Sequence, residues 1–144
     1  MKEKSLRWVV DASVGIKLFV EEEFSDKVER FFDQLIEKPS AEFYVPDLFY
    51  IECANIFLKY TRRFNRSLED AQADLRNLNK LALKRTPNAD LVEDALLLAS
   101  VKNLSAYDAS YAVLAQKLDI PLITADSHLV RSIDWAVWIG DWDV

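Results

Sequence analysis

The sequence is poor in the residue types on which several common catalytic and binding sites depend. It contains two glycines, one histidine and one cysteine among 144 residues. Gly15 and Gly140 lie too far apart for a dinucleotide fingerprint or a phosphate-binding glycine loop, because both need glycines a few residues apart. One histidine and one cysteine cannot complete a structural zinc site or an intramolecular disulfide. Carboxylates are abundant instead, so Asp and Glu are the expected catalytic groups if the protein is an enzyme.

Long apolar runs are also missing. The first apolar stretch, residues 8–20, is interrupted by Asp11 and Lys17 and is too short to span a membrane. The unpaired Cys53 fits a reducing compartment, so we expect a cytoplasmic protein without membrane contact. Lys and Arg number 18 against 24 Asp and Glu, which gives a formal net charge of -6. This balance argues weakly against a protein that coats nucleic acid, because phosphate binding favours a basic surface.

Apolar periodicity predicts short strands that alternate with helices. The strands are predicted at residues 4–11, 42–45, 121–125 and 136–139. The helices are predicted at residues 12–20, 25–38, 48–63, from 67, 89–101, 105–119 and from 128. No internal repeat or linker divides the chain, so we expect a single domain over residues 1–144. The alternation indicates an α/β fold with a mainly parallel sheet.

Two predicted strands each deliver an aspartate at their carboxyl end. The segments WVVDAS (residues 8–13) and LITADS (residues 122–127) resemble each other and contain Asp11 and Asp126. If the two strands are neighbours in a parallel sheet, both carboxylates reach the crevice where such sheets bind ligands. The alternative is that each aspartate only caps the helix that follows it. The sequence leaves both interpretations open.

Asp108 lies on a predicted helix that is otherwise mostly apolar. A carboxylate beside such a surface needs a partner, and a cation shared with other acids would supply one. However, Ser105-x-x-Asp108 has the spacing of a capping box, with Asp where Glu or Gln is usual. Stabilisation of the helix end is therefore an equal alternative for this residue.

Glu52 begins a polar stripe on the helix predicted at residues 48–63. The stripe continues on one helix face with an amide and cations: Asn55, Lys59, and either Arg62 or Arg63. It is either a solvated helix face or the wall of a groove that starts at an acid and becomes basic towards Arg66. In the second case, the cations of the stripe and Arg66 would line that groove.

Four carboxylates around one or two hard cations would form a recognisable site. Mg²⁺ and Mn²⁺ prefer oxygen ligands, and such a cation can activate a water and neutralise charge that develops on a phosphate. Repulsion between ionised acids would favour uptake of the cation. No histidine base is required, which suits a chain with one histidine.

Three segments of the chain match a known family. VVDASVGIKLF, YVPDLFYIECANIFLK and SAYDASYAVLAQKLDIPLITADSHL resemble PIN-domain ribonucleases, especially the VapC toxins, in the family's order and over nearly the whole chain. The resemblance implies a PIN-like three-layer α/β/α fold with a mainly parallel central sheet. It places the family's acidic quartet, as catalytic residues and metal ligands, on Asp11, Glu52, Asp108 and Asp126. It places supporting polar residues on Ser13, Asn55 and Thr124.

The resemblance also implies an activity and its partners. The protein would be a Mg²⁺- or Mn²⁺-dependent endoribonuclease in which an activated water attacks an RNA phosphodiester and leaves a 5′-phosphate and a 3′-hydroxyl. The candidates for contact with the RNA backbone are then Lys59, Arg62, Arg63 and Arg66. It would be the toxin of a toxin–antitoxin pair, blocked by a VapB-type antitoxin, and it would form a homodimer. The alternatives are a PIN-like module that binds RNA or protein without catalysis, and a housekeeping RNA-processing nuclease.

Overall fold

A computed structural model describes residues 5–143 and contains a central sheet with flanking helices. Within this range the strands are β1 (Arg7–Val10), β2 (Glu42–Pro46), β3 (Leu83–Thr86), β4 (Leu122–Thr124) and β5 (Ala136–Trp138). The α-helices are α1 (Ala12–Gly15), α2 (Ser25–Glu37), α3 (Leu48–Arg63), α4 (Leu68–Asn79), α5 (Val92–Lys102), α6 (Ala106–Leu118) and α7 (Ser127–Ser132). Lys4, the predicted start of the first strand, lies outside the described residues.

All five strands are parallel, in the order β3-β2-β1-β4-β5. β1 and β4 are buried along almost their whole length, as expected for strands that are covered by helices on both faces. This arrangement confirms the predicted three-layer α/β/α fold. The chain extends the sheet from β1 outward to β3 and then returns to the other side of β1 to form β4. Strand order therefore changes direction between β1 and β4, which is where open parallel sheets bind ligands.

The edge strand β3 is missing from the sequence-based prediction. Its four residues, LKRT, include two exposed charged side chains, so the segment has no apolar strand pattern. β3 forms because its backbone pairs with β2, with Phe43 opposite Leu83 and Pro46 opposite Thr86. Tertiary pairing, rather than local propensity, determines this strand.

Two predicted helices differ in their bounds. The first ends at Gly15 and continues as a 3-10 turn over Ile16–Leu18, instead of remaining helical to residue 20. The helix predicted from residue 89 begins at Val92, after a 3-10 turn over Asn88–Asp90. None of the helices within residues 5–143 is both long enough and apolar enough to cross a membrane.

Gly15 allows α1 to lie very close to α3. A β-carbon at this position would stand 2.7 Å from Cζ of Phe49, a fully buried residue of α3. A larger residue would force the two helices apart. The close approach brings α3, which carries Glu52, near the end of β1, which leads to Asp11.

An aromatic cluster centred on Phe31 anchors α2 to the sheet. The Phe31 ring stacks on Phe43 of β2, with ring centroids 4.6 Å apart. It meets Trp8 of β1 and Trp142 edge to face, with centroids 5.5 and 5.2 Å apart. All four rings are buried. These contacts fix α2 against β2 and against β1, the strand that leads to Asp11.

Candidate active site

Asp11 and Asp126 come from the two strands on either side of the change in strand order. Asp11 follows β1 directly, and Asp126 lies two residues beyond the end of β4. In the pairing of these strands Val10 lies opposite Ile123, and the Asp11 amide donates to the Ile123 carbonyl at 3.1 Å. This register places Asp11 level with Thr124. Both acids lie at the carboxyl ends of neighbouring parallel strands, as the sequence predicted.

The Asp11 carboxylate is buried and held by two hydroxyl groups. Ser13 Oγ and Thr124 Oγ1 each donate to Asp11 Oδ2 at 2.7 Å. Asp11 is 6% exposed, and within residues 5–143 its carboxylate makes no capping bond to α1. Helix capping therefore does not account for this acid. Because both hydroxyls bind the same oxygen, Oδ1 has neither of these donors.

Burial raises the pKa of Asp11 from an ordinary 3.8 to about 6. The bonds from Ser13 and Thr124 favour the ionised form and oppose this rise, whereas the negative charges of Asp108 and Glu52 add to it. No lysine or arginine among the described residues forms a salt bridge with any acid of the quartet. The site therefore holds negative charge without an ion-paired side chain.

Ser13 and Thr124 also connect the two strand ends. The Ala125 amide donates to Ser13 Oγ, and the Asp126 amide donates to Thr124 Oγ1, each at 3.0 Å. Each hydroxyl accepts a hydrogen bond from the segment after β4 and donates its own proton to Asp11. The structure thus places both predicted supporting residues against the same carboxylate.

Asp126 caps the helix that follows it. Its Oδ1 accepts from the amides of His128 and Leu129, at 2.9 and 3.4 Å, at the start of α7. The capping interpretation therefore holds for Asp126 and fails for Asp11. Capping occupies Oδ1 only. The negative charge of Asp126 also raises the pKa of Asp108, so the two carboxyl groups lie within electrostatic reach of each other.

Asp108 lies half-buried in the first turn of α6. Ser105 Oγ accepts from the Asp108 amide at 3.1 Å, so the Ser105 side chain caps this helix. Burial, followed by the charge of Asp126, raises the pKa of the Asp108 carboxyl. Asp108 in turn raises the pKa of both Asp11 and Glu52. Asp108 is therefore the acid that couples electrostatically to the other three.

Glu52 of α3 is held by Tyr111 of α6, a residue that the sequence reasoning missed. The Tyr111 hydroxyl donates to Glu52 Oε1 at 2.6 Å, and the tyrosine is fully buried. A buried tyrosine hydroxyl needs a partner, so a tyrosine one turn after Asp108 on an apolar helix was the available signal. Burial raises the pKa of Glu52 although the Tyr111 bond opposes the rise.

The donor atoms of the quartet are those that suit a hard divalent cation. All its donors are carboxylate oxygens, which Mg²⁺ and Mn²⁺ prefer, and its charges are not neutralised by salt bridges within residues 5–143. In that same part of the chain, no group of three or more Asp, Glu, His or Cys side chains is arranged so that it could hold a metal ion. Glu52 is turned towards Tyr111, and one Asp126 oxygen is turned towards α7. The residue types therefore fit the cation, although in this arrangement the side chains do not converge on one position.

The predicted polar stripe of α3 divides between two hollows. Glu52 and Asn55 line a hollow of about 540 Å³. Lys59 and Arg63 line a groove of about 440 Å³ whose other lining residues include Ser13. The second half of the stripe is therefore a cationic groove beside the acids.

The other two predicted RNA contacts lie elsewhere. Arg62 is exposed on α3 and lines neither of these two hollows. Arg66 donates to Asp74 Oδ2 through Nε, at 3.0 Å, and through Nη2. The structure therefore separates these two arginines from Lys59 and Arg63.

Neither Cys53 nor His128 offers an alternative catalytic group. Cys53 is buried on α3, and burial raises the pKa of its thiol well above 9.0. A buried thiol of this kind is not a nucleophile at neutral pH. His128 is exposed on α7 and donates its backbone amide to Asp126. The carboxylates remain the groups best placed for chemistry.

Both the sequence and the fold match known proteins. A family model of the PIN domain matches residues 8–134. The chain belongs to the PIN-domain family. This confirms the resemblance drawn from the three motif segments, and the matched PIN-domain range includes all four acids of the quartet.

The chain is similar to a named ribonuclease and to solved protein structures. Ribonuclease VapC3 from Pyrobaculum aerophilum is 35% identical over 128 residues, which are 88% of this chain and 94% of the relative. The crystal structure of PAE2754 from the same organism has a TM-score of 0.72 at 24% identity, over 93% of this chain and 84% of that chain. A toxin–antitoxin complex from Klebsiella pneumoniae contains a chain with a TM-score of 0.64 at 14% identity. The match covers 94% of this chain and 98% of that chain. The two solved structures share the PIN fold with this chain.

Proposed function

We propose that this PIN-domain protein is an endoribonuclease that depends on Mg²⁺ or Mn²⁺. The observation that carries the proposal is the buried Asp11 carboxylate at the change in strand order, whose pKa the negative charges of Asp108 and Glu52 raise. A buried acid in such company is costly to ionise unless a cation shares its charge. The name of Ribonuclease VapC3, a relative that is 35% identical, supports RNA as the substrate.

The quartet would hold the cation. Asp11, Asp108 and Asp126 would be the principal ligands, and Glu52 would complete the site directly or through water. A bound Mg²⁺ or Mn²⁺ supplies a Lewis acid that activates water and offsets negative charge on the phosphate. With the quartet set aside, 20 acids remain against 18 bases. Much of the acid excess therefore belongs to the site and does not oppose an RNA substrate.

The residues around the acids position them. Ser13 and Thr124 donate to Asp11, and Tyr111 donates to Glu52, so each carboxylate is held in one orientation. These bonds favour the ionised carboxylates, which is the form that binds a cation. Asn55 would donate its amide into the hollow that it lines together with Glu52.

Substitution of Asp11 and of Asp126 tests the proposed activity. RNA is incubated with wild type, Asp11→Asn and Asp126→Asn in EDTA, Mg²⁺ and Mn²⁺. Asp33→Asn, an exposed aspartate of α2, is the control that removes the same charge elsewhere. We expect metal-dependent products with 5′-phosphates from wild type and the control, and a loss of about a thousandfold in both site variants. Equal cleavage by all four proteins would overturn the proposed site.

Mn²⁺ binding distinguishes this enzyme from a PIN-like module without catalysis. Calorimetric titration of the wild type should show Mn²⁺ binding that Asp11→Asn abolishes and Asp33→Asn retains. A wild type without Mn²⁺ affinity would favour the non-catalytic module.

We further propose that the chain is the toxin of a VapBC-type pair and binds a VapB-type antitoxin. The name of the relative VapC3 supports this role, and the fold is shared with a chain of a toxin–antitoxin complex from Klebsiella pneumoniae. Expression without the antitoxin should arrest growth of a cognate host, and Asp11→Asn should relieve the arrest. Normal growth with an active nuclease would favour a housekeeping RNA-processing enzyme.

A homodimer of single-domain chains, each spanning residues 1–144, completes the proposal. α5 presents an exposed apolar row that would be covered in a dimer: Val92, Leu96, Leu97 and Val101, 55 to 69% exposed. Leu96→Glu should therefore yield a monomer by light scattering. Ile36→Glu, at an 87% exposed position of α2, is the control and should leave the mass unchanged. A monomeric wild type would contradict the dimer.

A further inference from the structure

A groove beside the acidic site is lined by cations and aromatic rings. This α3 groove has a volume of about 440 Å³, and its lining includes Ser13, Lys17, Lys59, Tyr60, Arg63 and Phe64. Ser13 belongs to both regions, because its hydroxyl donates to Asp11 at 2.7 Å. A chain that lies in the α3 groove therefore reaches the acids.

The α3 groove is cationic although the protein as a whole is acidic. Lys59 and Arg63 lie one turn apart on α3, and both are exposed. Neither forms a salt bridge within the described part of the chain. Lys17 also lines the groove, but its Nζ is ion-paired with Glu22 Oε1 at 3.0 Å, so the uncompensated positive charge comes from Lys59 and Arg63. A positive groove on a chain with a net charge of -6 favours a polyanion at this place.

Phe64 contributes an exposed aromatic ring to the same groove. It follows the last residue of α3 and is 68% exposed. Its ring centroid lies 5.1 Å from that of Tyr60. Water contact with this ring is unfavourable, and an unstacked nucleic-acid base that covered it would remove the apolar surface from water.

Glu22 holds one wall of the α3 groove in place. Lys17 Nζ donates to Glu22 Oε1 at 3.0 Å, and the Tyr60 hydroxyl donates to Glu22 Oε2. Burial and the nearby Glu22 raise the pKa of Tyr60 from an ordinary 10.0 to about 12, and its hydroxyl is the donor of the bond to Glu22. Tyr60 is therefore ordered before any ligand binds, which lowers the entropy cost of binding.

We propose that the α3 groove binds a single-stranded stretch of the RNA substrate, with phosphates on Lys59 and Arg63 and one unstacked base on Phe64. A double helix keeps its bases stacked and so cannot present a base face to this ring. The assignment rests on the proposed function, because it names RNA as the ligand of the same site. It gives no backbone contact to Arg62, which lies outside the groove, or to Arg66, which is ion-paired.

RNA binding in EDTA tests the groove without cleavage. Fluorescence anisotropy of a fluorescein-labelled single-stranded RNA of about 12 nucleotides is compared for wild type, Lys59→Gln, Arg63→Gln and Phe64→Ala. Arg62→Gln is the matched control, because it removes an arginine charge from the same helix. We expect Lys59→Gln and Arg63→Gln each to reduce the slope of log affinity against log salt by about 0.7, and Arg62→Gln to reduce it much less. Phe64→Ala should weaken binding roughly 5- to 150-fold, and Phe64→Tyr should restore it.

Any of three results would overturn the groove assignment. These are a wild type that does not bind this RNA, groove variants that bind as tightly as wild type, and a loss in Arg62→Gln as large as that in Arg63→Gln. The substituted side chains are exposed, and thermal melting of each variant shows whether it is folded.

Cleavage in Mn²⁺ is measured separately, so the two proposals can fail independently. A wild type that binds RNA through the groove and cleaves nothing contradicts the nuclease and supports the groove. A wild type that cleaves RNA, with groove variants that bind and cleave normally, contradicts the groove and supports the nuclease.

Discussion

The ends of β1 and β4 look alike in sequence and differ in structure. Asp11 is buried, accepts hydrogen bonds from two hydroxyl groups and makes no capping bond within residues 5–143. Asp126 is half-buried and uses one oxygen to cap α7. The register explains the difference, because Asp11 is level with Thr124 and Asp126 lies two residues further out. One motif therefore yields an inner acid that bears a desolvation cost and an outer acid that stabilises a helix.

The largest effect that separates the two acids is expected on metal-free stability. The pKa of Asp11 is about 6 in the folded protein against 3.8 ordinarily, so the folded state binds the proton more tightly. Stability is therefore lost as pH rises from about 4 to about 6, by about 3 kcal/mol for this one group. Asp11→Asn should raise the free energy of unfolding above that of wild type by up to this amount near neutral pH, and by much less near pH ~4.

Urea denaturation in EDTA at both pH values measures this difference. Asp126→Asn is the control, and we expect little change in its stability at either pH. A less stable Asp11→Asn near neutral pH would show that the inner acid carries no desolvation cost.

The second effect concerns the hydroxyl that links the inner acid to the outer one. Thr124→Val keeps the shape of a fully buried side chain, but it removes one donor to Asp11 and the acceptor of the Asp126 amide. We expect Mn²⁺ affinity to fall by about 10- to 100-fold in calorimetric titration. Thr61→Val, which removes a hydroxyl bonded to the Leu58 carbonyl, is the control and should leave the affinity unchanged. Unchanged affinity in Thr124→Val would mean that Asp11 does not need this support.

The smallest effect separates the two roles of the outer acid. Asp126→Ala removes the α7 cap and should cost about 1 kcal/mol of metal-free stability in urea denaturation, whereas Asp126→Asn keeps a capping oxygen and should cost much less. Both variants should lose cleavage equally, because both lose the charge. If Asp126→Ala were as stable as wild type, the capping bond would not contribute to stability.

Strand ends and the order of elements could be predicted because they depend on local patterns. The apolar runs before Asp11 and Asp126 are short and clear, and a parallel sheet brings such ends together. The strand β3 could not be predicted, because Lys84 and Arg85 interrupt its apolar pattern. Only the pairing with β2 makes this segment a strand.

The distinction between inner and outer acid also depends on register, which no local pattern contains. Ser105 and Asp108 have the spacing of a cap, and Ser105 does cap α6, yet this spacing says nothing about where the Asp108 carboxylate lies. Tyr111 was missed because its partner, Glu52, is on a different helix. Likewise, only the fold separates Arg63, which lines the α3 groove, from its sequence neighbour Arg62.

The two hydroxyls that join the strand ends make their hydrogen bonds within the protein. Ser13 and Thr124 give their protons to one oxygen of Asp11, and each accepts a backbone amide in return. A phosphate oxygen can only accept hydrogen bonds, so it finds no donor at either residue. On the proposed function, the negative charge of a bound phosphodiester must then be offset by a metal ion or by the cations of α3. On that proposal, the two hydroxyls that would prepare Asp11 as a metal ligand are also two groups that cannot bind the RNA phosphate.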